Sequence, residues 1–214
     1  MTAQLDMFAT APKVHRSLEY DQQTILSSIR ALHLGGAMFD ADLTYGNGAF
    51  WRDERPALCF DRQPLASHVV EACSTALPVP AASLGSLVFD PPFLTYVRAG
   101  RDGNGRMAMA RRFAGYWTYD ELETHYRGTL VEMTRVLRRG GLAVVKCQDI
   151  IHNHRMHCTH ANVIAWGAEI GLRLVDLYVL GARHRLPAPN RKGAQKHARI
   201  FHSYFLVLEN RSKR

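Results

Sequence analysis

The chain has 214 residues, enough for one domain with a core that needs no covalent staples. With 47% hydrophobic and 21% charged residues it falls in the globular range, which excludes wholesale disorder. Lys and Arg number 27 against 19 Asp and Glu, giving a net charge of +8 and a pI near 9.6, which suits a nucleic acid or other polyanion as partner. No apolar run reaches the roughly 18 residues of a membrane span, and residues 1–16 lack the pattern of a secretory signal. The cysteines at 59, 73, 147 and 158 have no tight spacing, so free thiols in a reducing cytoplasm are expected.

Residues 1–15 are expected to form a flexible arm. Leu18, Ile25, Ile29 and Leu32 fall at helical spacing within 16–34, and Gly35-Gly36 stops the pattern. Residues 37–43 read as a buried strand holding Asp42 near its end, and 57–61 as a second strand ending at Asp61. Residues 65–77 read as a helix broken by Pro78 and Pro80. Residues 84–90 form an apolar strand that runs into Asp90-Pro91-Pro92. Thr118-x-x-Glu121 is a capping box opening a helix to about Leu137, with Gly140-Gly141 as its stop. A strand over 142–148, a helix over 160–170 ended by Gly171, and strands over 172–180 and 200–209 complete the chain. Strands alternating with helices imply an α/β domain with a mostly parallel sheet, and the last two strands, with no helix between them, imply an antiparallel pair.

Three segments carry chemistry. Asp42 ends the first strand, and Gly46-Asn47-Gly48 follows, where glycines let the backbone turn tightly and approach a ligand. An ordinary turn fits the same residues. Asp61 at the second strand end can accept hydrogen bonds from ribose hydroxyls, or cap a following helix. Asp90-Pro91-Pro92-Phe93 is the strongest signal. Two prolines stiffen the backbone and remove two N–H donors, leaving a fixed carboxylate and free carbonyls that suit a planar amine donating both its protons. Phe93 adds an aromatic face for stacking a flat ring.

These segments, in this order, resemble the class I S-adenosylmethionine-dependent amino-methyltransferases of nucleic acid bases, most closely small phage or bacterial adenine-specific DNA methylases. The resemblance implies a Rossmann-like sheet, mostly parallel with an antiparallel last strand and helices on both faces. It implies a single catalytic domain over 16–210, followed by a basic tail over 211–214. By match, Asp42, Gly46 and Gly48 line the methionine end of the cofactor and Asp61 its ribose, with Thr44, Tyr45 and Asn47 as further contacts. Asp90, Pro91, Pro92 and Phe93 hold the target base. The implied reaction is methylation of adenine N6 in DNA. The alternatives are an RNA base (adenine N6 or guanine N2), cytosine N4, and a protein amide or lysine, with a non-enzymatic binding module as the contrasting class. Only twelve residues separate Gly48 from Asp61, so any helix after the glycine turn must be very short.

The basic charge is concentrated in two loops. Arg98, Arg101, Arg106, Arg111 and Arg112 lie in the first against a single acid, Asp102; Arg183, Arg185, Arg191, Lys192, Lys196 and Arg199 lie in or beside the second with no acid. Both loops fall at the carboxyl ends of strands, where a phosphate backbone would pass. A nucleic acid is therefore the expected partner; the resemblance implies DNA, with RNA as the alternative. No target-recognition domain is evident, so a short or lax site is expected, or help from a homodimer. Tyr116, Trp117 and Tyr119 serve either base stacking or helix packing. Lys146, in a strand otherwise buried, either reaches the pocket rim or snorkels. Cys147, His152, His154, His157, Cys158 and His160 do not match a common zinc spacing, so no metal is expected. His202, alternating with apolar residues, reads as structural.

Overall fold

The computed structural model describes residues 14–95, 115–183 and 195–212. Its elements run β1 (Leu18–Glu19), α1 (Gln22–His33), β2 (Ala41–Asp42), β3 (Leu58–Asp61), β4 (Val70–Glu71), β5 (Leu84–Phe89), α2 (Tyr119–Val136), β6 (Leu137–Cys147), β7 (Ile150–His152), β8 (Arg155–His157), α3 (Thr159–Glu169), β9 (Leu172–Gly181) and β10 (His202–Asn210). Eight strands form one sheet in the order β1-β9-β10-β6-β5-β2-β3-β4. All pairs are parallel except those of β10, which runs antiparallel to both β6 and β9. β2 pairs with β3 on one side and β5 on the other, so strand order reverses there, at the point where open α/β sheets bind ligands.

Side chains alternate between two cores. Leu87 and Phe89 of β5 and Ala143, Val145 and Cys147 of β6 point to one face, against α2 and α3. Val88, Leu142 and Val144 point to the other, against α1. Helices therefore cover both faces, as the resemblance implied. α1 starts where the Asp21 carboxylate accepts from the Thr24 N–H at 3.0 Å, and it ends before Gly35 and Gly36, whose φ of 59° and 86° a side chain would resist. α2 starts at the expected cap, with Thr118 Oγ1 accepting from the Glu121 N–H at 3.2 Å and Glu121 accepting from the Trp117 N–H at 2.7 Å. Among the described residues no helix is long and apolar enough to cross a membrane.

Several boundaries differ from expectation. Residues 18–19 are not helical but add a strand to the β9 edge. The strand expected over 37–43 narrows to Ala41–Asp42 because Asp40 takes over the pairing: its carboxylate accepts from Gly85 and Ser86 N–H at 2.6 and 3.1 Å. No helix forms over 65–77; Val70–Glu71 pairs with β3 instead, and turns fill the rest. Partners on α2 fix that segment, since Ser74 bonds His125 and Thr129 and the Leu77 N–H donates to Glu132. α2 ends at Val136, within a residue of the expected Leu137, but the strand expected from 142 begins at once at Leu137 and runs through Gly140-Gly141, where its register against β5 shifts. β7 and β8 were not expected; Asn153 and His154, at φ 49° and 60°, form the two-residue turn between them. The expected arm lies outside the described residues except for 14–15, where His15 bonds Ser28 at 2.9 Å. In the tail, Arg211 pairs with Glu209 at 2.9 Å.

Candidate active site

Residues 44–46 stitch three strand ends together. The Thr44 N–H donates to Asp42 Oδ1 at 2.8 Å, and Thr44 Oγ1 accepts from the Asp90 N–H at 2.8 Å. The Tyr45 N–H donates to the Phe60 carbonyl at 2.9 Å, and the Gly46 N–H donates to Asp61 Oδ2 at 2.7 Å. The carboxylates ending β2 and β3 and following β5 are thus brought to one place by a single short segment. Gly46 and Gly48 sit at φ 56° and 77°, which L side chains resist. A Cβ on Gly46 would meet open space, whereas one on Gly48 would lie 2.8 Å from the Tyr45 hydroxyl. Asn47 accepts from the Ala49 N–H at 3.1 Å and closes the turn.

Asp42 is buried, 1% exposed, and its second oxygen accepts from the Trp51 indole N–H at 2.7 Å. Burial pushes its carboxyl up to about 7; the Thr44 and Trp51 hydrogen bonds pull the other way, and the nearby Asp90 and Asp61 charges add to the rise. Trp51 packs in turn on Phe39 and Phe50. Sequence reasoning missed Trp51, for which the only signal was an aromatic pair directly after the glycine turn.

Asp90 is half-buried, its side chain 23% exposed, and burial pushes its carboxyl up. Lys146 opposes that rise, its Nζ lying 3.2 Å from Asp90 Oδ2 and 2.9 Å from Gln22 Oε1. Lys146 therefore does not snorkel; it turns inward to Asp90 as an ion-pair partner, 12% exposed. Pro91 is buried, while Pro92 and Phe93 are half-buried. Leu94 beyond them is held by Tyr116, whose N–H donates to the Leu94 carbonyl at 3.1 Å and whose hydroxyl bonds His125 Nδ1. His125 continues to Ser74 and sets its ring edge on Phe89. Burial pushes the His125 imidazole down to about 4, so it is neutral at physiological pH. Tyr116 is thus a packing residue, and so is Tyr119, which stacks on His157 at 3.8 Å and bonds Asn162. Trp117 is 41% exposed.

Of the basic residues, Arg98, Arg101, Arg106, Arg111, Arg112, Arg185, Arg191 and Lys192 lie outside the described residues. Arg183 lies over the Tyr20 ring at 5.2 Å, and Lys196 and Arg199 are exposed. The His/Cys segment forms the β7–β8 hairpin and the start of α3. There the buried Asp149 carboxylate accepts from His160 Nδ1 at 2.7 Å and from the Tyr204 hydroxyl at 3.3 Å, and His202 bonds Tyr204. Among the described residues no His, Cys, Asp and Glu group could hold a metal. A hollow of about 300 Å³ lined by His33, Asp40, Ser86 and Arg138 opens at the amino ends of the strands, away from the carboxylates, and holds none of the expected site residues.

Three carboxylates around a positive-φ turn with open space in front of it fit a ligand that carries positive charge. A sulfonium cofactor such as S-adenosylmethionine meets that requirement.

No protein-family model and no curated protein matches the chain. Solved structures do. The 1,6-didemethyltoxoflavin-N1-methyltransferase of Burkholderia thailandensis, with bound 1,6-didemethyltoxoflavin and S-adenosylhomocysteine, matches with a TM-score of 0.52 at 12% identity, over 91% of this chain and 80% of that one. The N-methyltransferase NodS of Bradyrhizobium japonicum matches with a TM-score of 0.50 at 14% identity, over 89% of this chain and 97% of that one. A candidate DNA modification methylase of Thermus thermophilus matches at 18% identity and a TM-score of 0.40 over 64% of this chain, which spans only 48% of that one. At these identities the likeness establishes the architecture, and the chain has the Rossmann-like fold of the class I methyltransferases.

Proposed function

We propose that this protein is an S-adenosylmethionine-dependent N-methyltransferase acting on the exocyclic N6 of adenine in DNA. The observation that carries the proposal is the 2.8 Å bond from the Asp90 N–H to Thr44 Oγ1, which sets the Asp-Pro-Pro-Phe acceptor cluster beside the glycine turn. When bound, S-adenosylmethionine supplies an electrophilic methyl group on a positively charged sulfur. Asp42, Thr44, Tyr45, Gly46, Asn47, Gly48 and Asp61 would hold it, Asp61 at the ribose and the turn at the methionine end.

The chain's own residues then act on the amine. An adenine out of its stack enters against Phe93. The Asp90 carboxylate and the Pro91 carbonyl accept the two amine hydrogens, which draws the nitrogen lone pair out of ring conjugation. Asp90 also stabilises the positive charge that grows on the nitrogen. No strong base is needed, because the methylated ammonium is acidic and sheds its proton readily. Alignment supplies much of the remaining acceleration. The partner is DNA, docked by the two basic loops, with a homodimer extending the recognition surface. A cytoplasmic site of action, in a bacterium or a phage-infected host, fits the four free cysteines.

The test is transfer of labelled methyl from S-adenosylmethionine to double-stranded DNA, single-stranded DNA and total RNA, with nucleoside analysis. N6-methyladenine in DNA is expected. Label in RNA alone, at adenine N6 or guanine N2, or in DNA as N4-methylcytosine, replaces the substrate and keeps the chemistry. Label only in protein overturns the nucleic acid assignment.

A further inference from the structure

We infer that Lys146 is a positioning residue that keeps Asp90 ionised and fixes which of its oxygens is offered to the substrate amine. The inference rests on the assignment of Asp90 as amine acceptor, but the ion pair stands apart from it. Lys146 lies on β6, on the face turned toward α1. Its ammonium has three N–H donors. One goes to Asp90 Oδ2 at 3.2 Å and one to Gln22 Oε1 at 2.9 Å. The ammonium also lies 5.3 Å from the Phe50 ring centroid and 5.5 Å from that of Phe205, within cation–π range. Gln22 is itself held, since its Nε2 donates to the Phe50 carbonyl at 3.0 Å. The lysine is therefore clamped from α1, from the segment after the glycine turn, from β10 and from Asp90.

Ionised, Asp90 offers acceptors alone; protonated, it carries an O–H donor that competes with the amine's own donors and keeps only part of its acceptor capacity. The charged or titratable groups facing Asp90 among the described residues are Lys146 from β6, Asp42 from the end of β2 and Tyr126 from α2. Asp42 works against ionisation and Tyr126 is neutral, so Lys146 is the cation that favours it. Among the described residues Lys146 alone donates to the carboxylate, and it engages Oδ2, so Oδ1 serves one amine hydrogen and the Pro91 carbonyl the other, two acceptors for two donors. A neutral residue at 146 both raises the Asp90 midpoint and frees the carboxyl to rotate.

The test is a carboxyl titration of the full chain labelled with 13C at aspartate Cγ, with the Asp90 signal assigned by Asp90→Asn. Lys146→Met is expected to raise the Asp90 midpoint by about one unit or more, since an opposite charge at this distance shifts a carboxyl by about 1–3 units. Lys146→Gln, which keeps hydrogen bonding without charge, must behave alike, and Lys146→Arg must restore the midpoint. In methyl transfer, the acidic limb of the kcat profile moves to higher pH in the two neutral variants by the same amount, with cofactor affinity unchanged. An unmoved Asp90 midpoint in folded Lys146→Met or Lys146→Gln overturns the inference, whichever polymer is methylated. A shifted midpoint in a protein that methylates no nucleic acid upholds the pair and removes the substrate assignment instead.

Discussion

Trp51→Phe tests whether Asp42 is a buried carboxylate held by one indole. The bond lost is 2.7 Å long and lies in the interior. Burial lifts the Asp42 carboxyl from its ordinary 3.8 to about 7. Between those values the native state keeps a proton that the unfolded chain has shed, so this group's contribution to stability falls as pH rises toward 7 and levels off above it. Removing the indole donor weakens the ionised form more than the protonated one. A hydrogen bond to a charged group contributes about 1.5–3 kcal/mol and one to a neutral group about 0.5–1.5. The substitution is therefore expected to cost about 1 kcal/mol more at about pH 8.5 than at about pH 5.5. Each unit by which the Asp42 midpoint rises accounts for about 1.4 kcal/mol of that difference. The pH-independent remainder is packing lost against Phe39 and Phe50. Urea unfolding of both proteins at the two pH values measures the cost, and a cycle with Asp42→Asn isolates the pair. The same cost at both pH values, or an undiminished pH difference on the Asp42→Asn background, refutes the assignment of the bond to a carboxylate.

Asp90→Ala is expected to lower methyl transfer by a factor of about a hundred or more, as loss of a preorganised electrostatic group does elsewhere, while leaving cofactor binding measurable by calorimetry; a normal rate sinks the acceptor role. Because a bound cation draws Asp42 toward its ionised form, affinity for S-adenosylmethionine should rise with pH through about 7, with up to one proton released. Calorimetry in buffers of different ionisation enthalpy reads that release, and its absence near pH 7 counts against Asp42 facing the ligand. Gly48→Ala places a Cβ 2.8 Å from the Tyr45 hydroxyl at φ 77°, so it should lower stability and cofactor affinity, with partial recovery in Tyr45→Phe. Gly46→Ala meets open space and carries only backbone strain of about 1–2 kcal/mol; equal losses at both glycines would contradict the geometry.

The features legible in the sequence were those whose signal is local. The Thr118 cap, the stop at Gly171 and the aspartates at strand ends all depend on residues within a turn of one another, and they lie where expected. The final antiparallel pair was legible because no helix separates its strands. The helix expected over 65–77 failed because its residues answer to distant partners: His125, Thr129 and Glu132 of α2 bind Ser74 and the Leu77 N–H more than fifty positions away. In the same way Lys146 could be singled out as an odd residue in a buried strand, but its partners Asp90 and Gln22 lie 56 and 124 positions away. Hydropathy periodicity has no access to such bonds, so it located the acidic strand ends and not the bonds by which Trp51, Gln22 and Lys146 support them.

The segment between β2 and β3 gives a further physical reason to favour a cationic cofactor over a nucleotide phosphate. In the dinucleotide-binding version of this sheet, the glycine turn opens directly into a helix whose N-terminal N–H groups and dipole receive the pyrophosphate. Residues 43–57 form no helix here. The Gly46 N–H that would face such a phosphate is turned instead onto the Asp61 carboxylate at 2.7 Å. An anion at this turn would meet Asp42, Asp61 and Asp90 with no helix dipole to offset them. A ligand carrying a sulfonium and an ammonium lowers the mutual repulsion that helps to hold Asp42 near neutrality. The short connection therefore acts on specificity as well as on chain length. With only the residues from Gly48 to Asp61 to spend, the chain closes the turn with carboxylates in place of a helix end, and that exchange reverses the sign of the charge the site prefers.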